Sequence, residues 1–287
     1  MNSRVDSDKL ALAAGVHKNE REYWFEKLSG DLVKTTFSYD YPPESKIHGR
    51  MNRETETFEC PPGLVSLLMR LSKGSDIKLH MILAAGLFLL LNKYTGSEDI
   101  LFGSPILKQD AGAGADFVNT VLVFRNPVYG NLTFKELLQQ VRETIIGANK
   151  HQNYPMETLH HHLNMPMAGN ESPLFDVVLL LENLHDKQYI RHVHYNIGIF
   201  FARTGDAVKG VLEYYSSLYR ESTIKRIIRH YMHLLEQALQ DLDGQISVIQ
   251  PLSPGEKRQV LEEFNRVEME YLSKVTSVYC YHFPQHQ

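Results

Sequence analysis

Apolar positions recur along this chain with two periods, near 3.6 and near 2, and the alternation between them outlines the elements. Ile224, Ile227, Ile228, Tyr231, Leu234, Leu235 and Ala238 fall on one stripe, which predicts a long amphipathic helix capped by Ser222 or Thr223. Phe134, Leu137, Leu138, Val141 and Ile145 form a second stripe over 133–149, and Thr133 with Glu136 makes a capping box at its start. Residues 78–93 are apolar almost all round, the pattern of a helix covered on every side. Pro61-Pro62 opens another helix that runs through Leu71 and closes near Gly74. Tyr23, Trp24 and Leu28 share a helical face between Asn19, a capping residue, and Gly30, a stop, so Trp24 reads as a packing anchor.

Shorter runs read as strands. Residues 54–59 alternate Glu and Thr around one Phe, as a solvent-facing strand does, while 100–102, 175–181, 197–202 and 210–215 are apolar and buried in pattern. The run 116–125, DFVNTVLVFR, is a β-branched strand interrupted by Asn119 and Thr120. A buried amide or hydroxyl without a partner costs roughly 1–3 kcal/mol, so these two side chains are expected to hold a fixed polar role. Small residues at 109–114 predict a loop, 155–163 a short helix, and 184–196, with His185, His192 and His194, a polar connection. Ser253-Pro254-Gly255-Glu256 is a second capping box, opening a helix to about 264. Long helices interleaved with several strands predict an α/β (α+β) sandwich.

Composition narrows the partners. The 287 residues are 43% hydrophobic, enough for a real core, and carry a net charge of −4 with both signs mixed and no long basic run. Nucleic acid is therefore not an expected partner. The longest apolar run, 81–91, has 11 residues, too short for a bilayer span, and the first residues lack a secretory apolar core. No membrane association is expected, and the predicted compartment is cytoplasmic. Cys60 and Cys280 make no disulfide framework and are read as reduced thiols.

Candidate chemistry is sparse. His160-His161-His162 is followed by Leu163-Asn164-Met165 and no residue that would orient an imidazole as a base, so the triplet reads as solvated helix. His230 and His233, or His192 and His194, can share a face, yet neither HExxH nor paired CxxC occurs and no metal is expected. There is no GxSxG elbow and no GxxxxGK[ST] loop. His151 is expected to fix its loop by bonding backbone carbonyls, and Asn119 to be a hydrogen-bonded core or tunnel residue. No catalytic residue is assigned.

Phe117-Val118-Asn119-Thr120, then a helix, then His151-Gln152-Asn153-Tyr154-Pro155-Met156-Glu157 resembles the condensation domain of nonribosomal peptide synthetases. Tyr94-Thr95-Gly96 with Asp99-Ile100, Gly103-Ser104-Pro105 and Ser172-Pro173-Leu174-Phe175-Asp176-Val177 match that family in order, from about Glu20 to Asn265. Met156, Asn153 and Ala115 depart from its usual Phe, Asp and Gly. The family's HHxxxDG motif, carried by an N-terminal lobe well before FVNT, does not occur; His161-His162 is not followed by Asp-Gly.

The resemblance implies a single chloramphenicol-acetyltransferase-like lobe, a mixed β-sheet flanked by helices. It divides the chain into a loose segment 1–18, a C-terminal condensation lobe 19–265 and a divergent tail 266–287. Phe117, Asn119, Thr120, Arg125, His151, Gln152, Pro155, Glu157 and Pro173 become tunnel or structural positions. The function it implies is that of a partial condensation domain, non-catalytic alone, serving as an interaction or scaffold lobe in peptide natural-product biosynthesis. The alternative is one half of a split enzyme that joins carrier-bound thioesters once another chain supplies the HHxxxDG lobe. Expected partners are that N-terminal lobe, an adenylation domain or carrier proteins, with self-association through an exposed seam as a further outcome. No cofactor is expected on the chain, because phosphopantetheine would sit on the carrier domains.

Overall fold

The computed structural model describes residues 18–42, 52–108, 119–154, 174–253 and 255–258. Residues 1–249 form one compact unit and 250–287 a second. In the second, Glu256 N donates to Ser253 Oγ at 3.2 Å and Ser253 N to Glu256 Oε2 at 2.9 Å, the predicted capping box. The expected boundary at 265 lies outside the described residues.

The first unit holds α1 (Lys18–Lys27), β1 (Arg53–Glu59), α2 (Pro62–Ser72), α3 (Asp76–Thr95), β2 (Asp99–Pro105) and β3 (Val121–Pro127). There follow α4 (Phe134–Lys150), β4 (Val177–Leu181), β5 (Ile197–Thr204), β6 (Ala207–Tyr215) and α5 (Glu221–Gln240). The six strands form one mixed sheet in the order β1-β6-β5-β4-β2-β3. β4 runs parallel to both β2 and β5, and the other pairs are antiparallel. β5 and β6 are joined by a two-residue turn in which Gly205 has φ +60, a conformation that carries no Cβ penalty in glycine.

Helix α3 sits at the centre. It touches β2 and β4 on the sheet and α2, α4 and α5 around it, and every residue from Leu79 to Leu91 except Met81 is buried. Ser75 caps it by accepting from Lys78 N, and Gly96, φ +68, ends it with its N–H on Asn92 O. Among the described residues it alone is long and apolar enough to match a membrane span, but its surroundings are protein: 67% of that window is buried inside the fold. The stripe of α5 lies against it, with Tyr231 Oη donating to Leu83 O at 2.8 Å. The capping box of α4 forms as expected, Thr133 Oγ1 accepting from Glu136 N and Glu136 Oε2 from Thr133 N.

Four sequence expectations need correction. The ladder of β3 begins at Val121, paired with Pro105, so Asn119 and Thr120 precede the strand instead of interrupting it. Proline has no N–H for the ladder, and Asn119 turns toward the end of α4. Neither Ser222 nor Thr223 is the N-cap of α5: that position is Arg220, and Asp40, 180 positions away, accepts from Arg220 N at 2.9 Å and from Thr223 Oγ1 at 3.0 Å. A carboxylate there also answers the positive end of the helix dipole. Asn19 lies inside the first turn of α1, which starts at Lys18. Finally, the 184–196 connection is not a solvated polar loop throughout: His185, Ile190, Tyr195 and Asn196 are buried within it.

His185 belongs to a buried polar pair. Its ring meets that of His80 edge-on with centroids 4.6 Å apart, and Ser104 Oγ lies 3.3 Å from His80 Nε2. His185 Nδ1 accepts from Leu181 N at 3.0 Å, so its proton resides on Nε2. Burial holds the pKa of His80 well below the usual histidine value, and burial likewise lowers that of His185 to about 4.

Two outcomes follow. Unfolded histidines take up protons below pH ~6.5 while these two stay neutral in the fold, so stability present above that pH is lost as pH falls toward 4, by up to about 1.4 kcal/mol per pH unit for each. Urea midpoints at pH 7.5 and 5.5 measure this, and equal midpoints would contradict it. Asp40→Ala removes the acceptor of Arg220 N and Thr223 Oγ1 at the start of α5 and is expected to lower unfolding stability by about 1–2 kcal/mol, read in the same titration at pH 7.5.

Candidate functional site

Asn119, His151 and Gln152 meet where α4 ends and the chain enters β3, with Tyr23 and Trp24 of α1 against His151. Helix α4 stops at Lys150, and His151 N and Nδ1 both donate to Gly147 O, at 3.1 and 2.8 Å. A carbonyl only accepts, so Nδ1 carries the proton and the ring is locked. Tyr23 of α1 stacks on that ring at 4.2 Å and 11°, and Trp24 Nε1 donates to His151 O at 2.7 Å. The stack is possible because residue 147 is glycine: a Cβ there would stand 2.7 Å from Tyr23 Oη. Tyr23 hydroxyl ionisation is pushed up to about 12 by burial.

Asn119 completes the junction. It is 9% exposed, and Nδ2 donates to Gln152 O at 2.6 Å and to Tyr154 O at 2.5 Å. The main chain of the HQNY segment is thereby pinned to the start of β3. Thr120 is half-buried, and its carbonyl accepts from Ile106 N at 3.1 Å. Gln152 contributes its carbonyl.

At the far end of β3, Arg125 grips Asp99 bidentately, Nε to Oδ1 at 2.9 Å and Nη2 to Oδ2 at 2.7 Å. Its Nη1 donates to the carbonyls of Lys27, at 3.3 Å, and Ser29, at 2.7 Å, satisfying orphan acceptors at the C-terminus of α1. Lys27 Nζ in turn reaches Thr144 Oγ1 at 2.9 Å, and Thr144 donates to Asn126 Oδ1 at 2.6 Å. Burial, and then the Arg125 charge, lower the Lys27 pKa. An open cleft of about 670 Å³ lies beside this cluster, lined by Lys27, Asp99, Arg125 and Tyr129.

The remaining motif residues are joints of the same kind. Phe175 lies over Gly103, where a Cβ would be 2.7 Å from its ring, so β2 accepts the start of the next strand. Asp176 pairs with Lys34 at 3.3 Å, and its carbonyl accepts from Asn196 N and Ile197 N. Phe117, Pro155, Glu157, Pro173 and His160-His161-His162 lie outside the described residues. Among the described residues no three His, Cys, Asp or Glu side chains stand close enough to hold a metal ion. Trp24, Asn119, Arg125 and His151 Nδ1 all donate to backbone carbonyls, so the site acts chemically as a clamp on main chain. Trp24 is the packing anchor the sequence predicts, fully buried, but sequence reasoning missed its bond to His151 and the parts played by Tyr23 and Lys27; Gly147, a helix-interior glycine, was the available sign of a close neighbour.

Asn119→Leu is expected to lower stability by roughly 2–3 kcal/mol, because two buried carbonyls lose their donor. Thermal and urea melts measure it, and a change under about 0.5 kcal/mol, the response of a surface position, would contradict the clamp.

The Condensation domain family model matches residues 9–261. The chain is 29% identical over 272 residues to surfactin synthase subunit 1 of Bacillus subtilis (strain 168), covering 88% of this chain and 7% of that protein. It is 29% identical over 296 residues to bacitracin synthase 1 of Bacillus licheniformis, covering 96% of this chain and 5% of that protein. The chain thus spans less than a tenth of these curated relatives, by the 7% and 5% shares. Among solved structures, the X-domain from teicoplanin biosynthesis superposes with a TM-score of 0.66 at 19% identity, over 82% of this chain and 57% of that one. A mutant starter condensation domain of rhizomide synthetase RzmA gives 0.64 at 16% identity, over 85% and 57%. With the family model matched across 9–261 and the same mixed sheet shared with solved condensation domains, this chain belongs to the condensation-domain family.

Proposed function

We propose that residues 19–265 are the C-terminal lobe of a peptide-synthetase condensation domain, an interaction and scaffold lobe in peptide natural-product biosynthesis without condensing activity of its own. The observation that carries this reading is the alignment share. Most of this chain, 82% and 85%, is matched by little more than half, 57%, of two solved domains. Motif order supports the C-terminal half, since FVNT, HQNYPME and SPLFDV are present and HHxxxDG is not. The clamp chemistry agrees: the polar side chains at the junction hold backbone together and leave acid–base work to another lobe.

In this reading the N-terminal lobe supplies the catalytic histidine, and carrier domains bring the acyl and aminoacyl thioesters on phosphopantetheine arms. An adenylation domain is the neighbouring partner, and the setting is the cytoplasm.

The chain incubated with loaded donor and acceptor carrier domains is expected to yield no condensed product by mass spectrometry. Turnover on adding an HHxxxDG lobe in a second chain identifies a split enzyme. Turnover by the chain alone that vanishes in His161→Ala or His162→Ala overturns the proposal.

A further inference from the structure

A second cleft, of about 500 Å³, opens away from the Asn119 junction where β1 begins, β6 ends and the 184–196 connection turns into β5. Its charged lining is unbalanced: Arg53, Lys187 and Arg191 face a single carboxylate, Glu213, with His194 alongside. Glu213 is already shared. Arg53 Nη1 stands 2.7 Å from Oε1, Tyr195 Oη donates to Oε1 at 2.8 Å, and Lys187 Nζ lies 3.1 Å from Oε2. Burial pushes the Glu213 pKa up, but the hydrogen bonds from Arg53, Tyr195 and Lys187 outweigh it and keep the carboxylate ionised.

Aromatic rings hold the cations in place. The Arg53 guanidinium lies over Tyr195 at 3.9 Å and near Tyr215 at 4.8 Å, and Lys187 Nζ lies 4.5 Å from the Phe200 ring centre. Arg53 still keeps 29% of its side chain accessible, and Lys187 50%. Asp186, the nearest carboxylate in sequence, is turned away onto Gln188 N at 2.8 Å and does not line the cleft. Arg191 is exposed and has no acidic partner among the described residues.

We infer that this cleft is a binding site for a phosphate-type oxyanion, held between Arg53, Lys187 and Arg191. Three cations against one carboxylate leave an excess that matches a dianion. The planar fork of arginine and the point charge of lysine are the groups that bind phosphate oxygens with charge-assisted hydrogen bonds. The shared chemistry fits free phosphate and the terminus of a phosphorylated organic molecule alike. It stands apart from the peptide-synthetase reading and does not depend on it.

The test is calorimetric titration of the full chain, at fixed ionic strength set with chloride, with inorganic phosphate, glycerol 3-phosphate and glycerol. Saturable binding of phosphate and none of glycerol is expected. Arg191→Glu, an exposed position, is expected to weaken it more than tenfold with melting unchanged, and Lys187→Gln to weaken it several-fold. Lys135→Glu, the same charge reversal on a residue that does not line the cleft, should leave binding unaltered. Tighter binding of glycerol 3-phosphate than of phosphate upholds the site and assigns it to an organic monoester; equal binding upholds it for the free ion. No saturable binding of either, or binding indifferent to Arg191→Glu, or equal loss in Lys135→Glu, overturns the inference.

Discussion

The burial of the Leu79–Leu91 run of α3, all but Met81, is the constraint from which the rest of the architecture follows. A helical run buried almost all round cannot be stabilised by one partner surface, so sheet and helices must both close on it. β2 and β4 pack on it from one side and α2, α4 and α5 from the others. Its one strongly polar residue in that buried run, His80, is correspondingly held neutral beside Ser104 and His185. Each buried aliphatic side chain contributes on the order of 1.5–3 kcal/mol. The run from Leu79 to Leu91 therefore outweighs any single surface interaction described above.

Around that centre the polar motifs act as joints between elements adjacent in space and distant in sequence. Arg125 binds β3 to β2 through Asp99 and to α1 through two carbonyls. Asn119 binds the start of β3 to the chain leaving α4. Both use a charged or amide donor on main-chain oxygen, and both would leave acceptors unsatisfied if removed. This is a physical reason for polar residues to occupy such positions without touching a substrate.

Much of the fold was legible in the sequence because it depends on local signals. The capping box Thr133–Glu136, the stripe of α5 and the apolar run of α3 are properties of neighbouring residues, and each element stands where its period placed it. The misses share the opposite character. Asp40 at the start of α5, Tyr23 against Gly147 and Asn119 on the 152–154 carbonyls are contacts over long sequence separations, and nothing in the local pattern of Ser222 or Val121 reports them. The site residues were identifiable as polar groups requiring partners; their partners, being backbone carbonyls, carry no sequence signature at all.

The segment from α1 to Asp40 has a kinetic consequence. Its anchors are Trp24 to His151, Lys34 to Asp176, and Asp40 to Arg220, with the residues 127, 142 and 180 positions apart. Closing loops of that length costs entropy before any contact rewards it. Those partners are positioned by α4, β4 and α5, whose ends they flank. The segment from α1 to Asp40 therefore gains its three anchors only with those elements in place, and without it Arg220 N and Thr223 Oγ1 at the start of α5 lack their carboxylate acceptor.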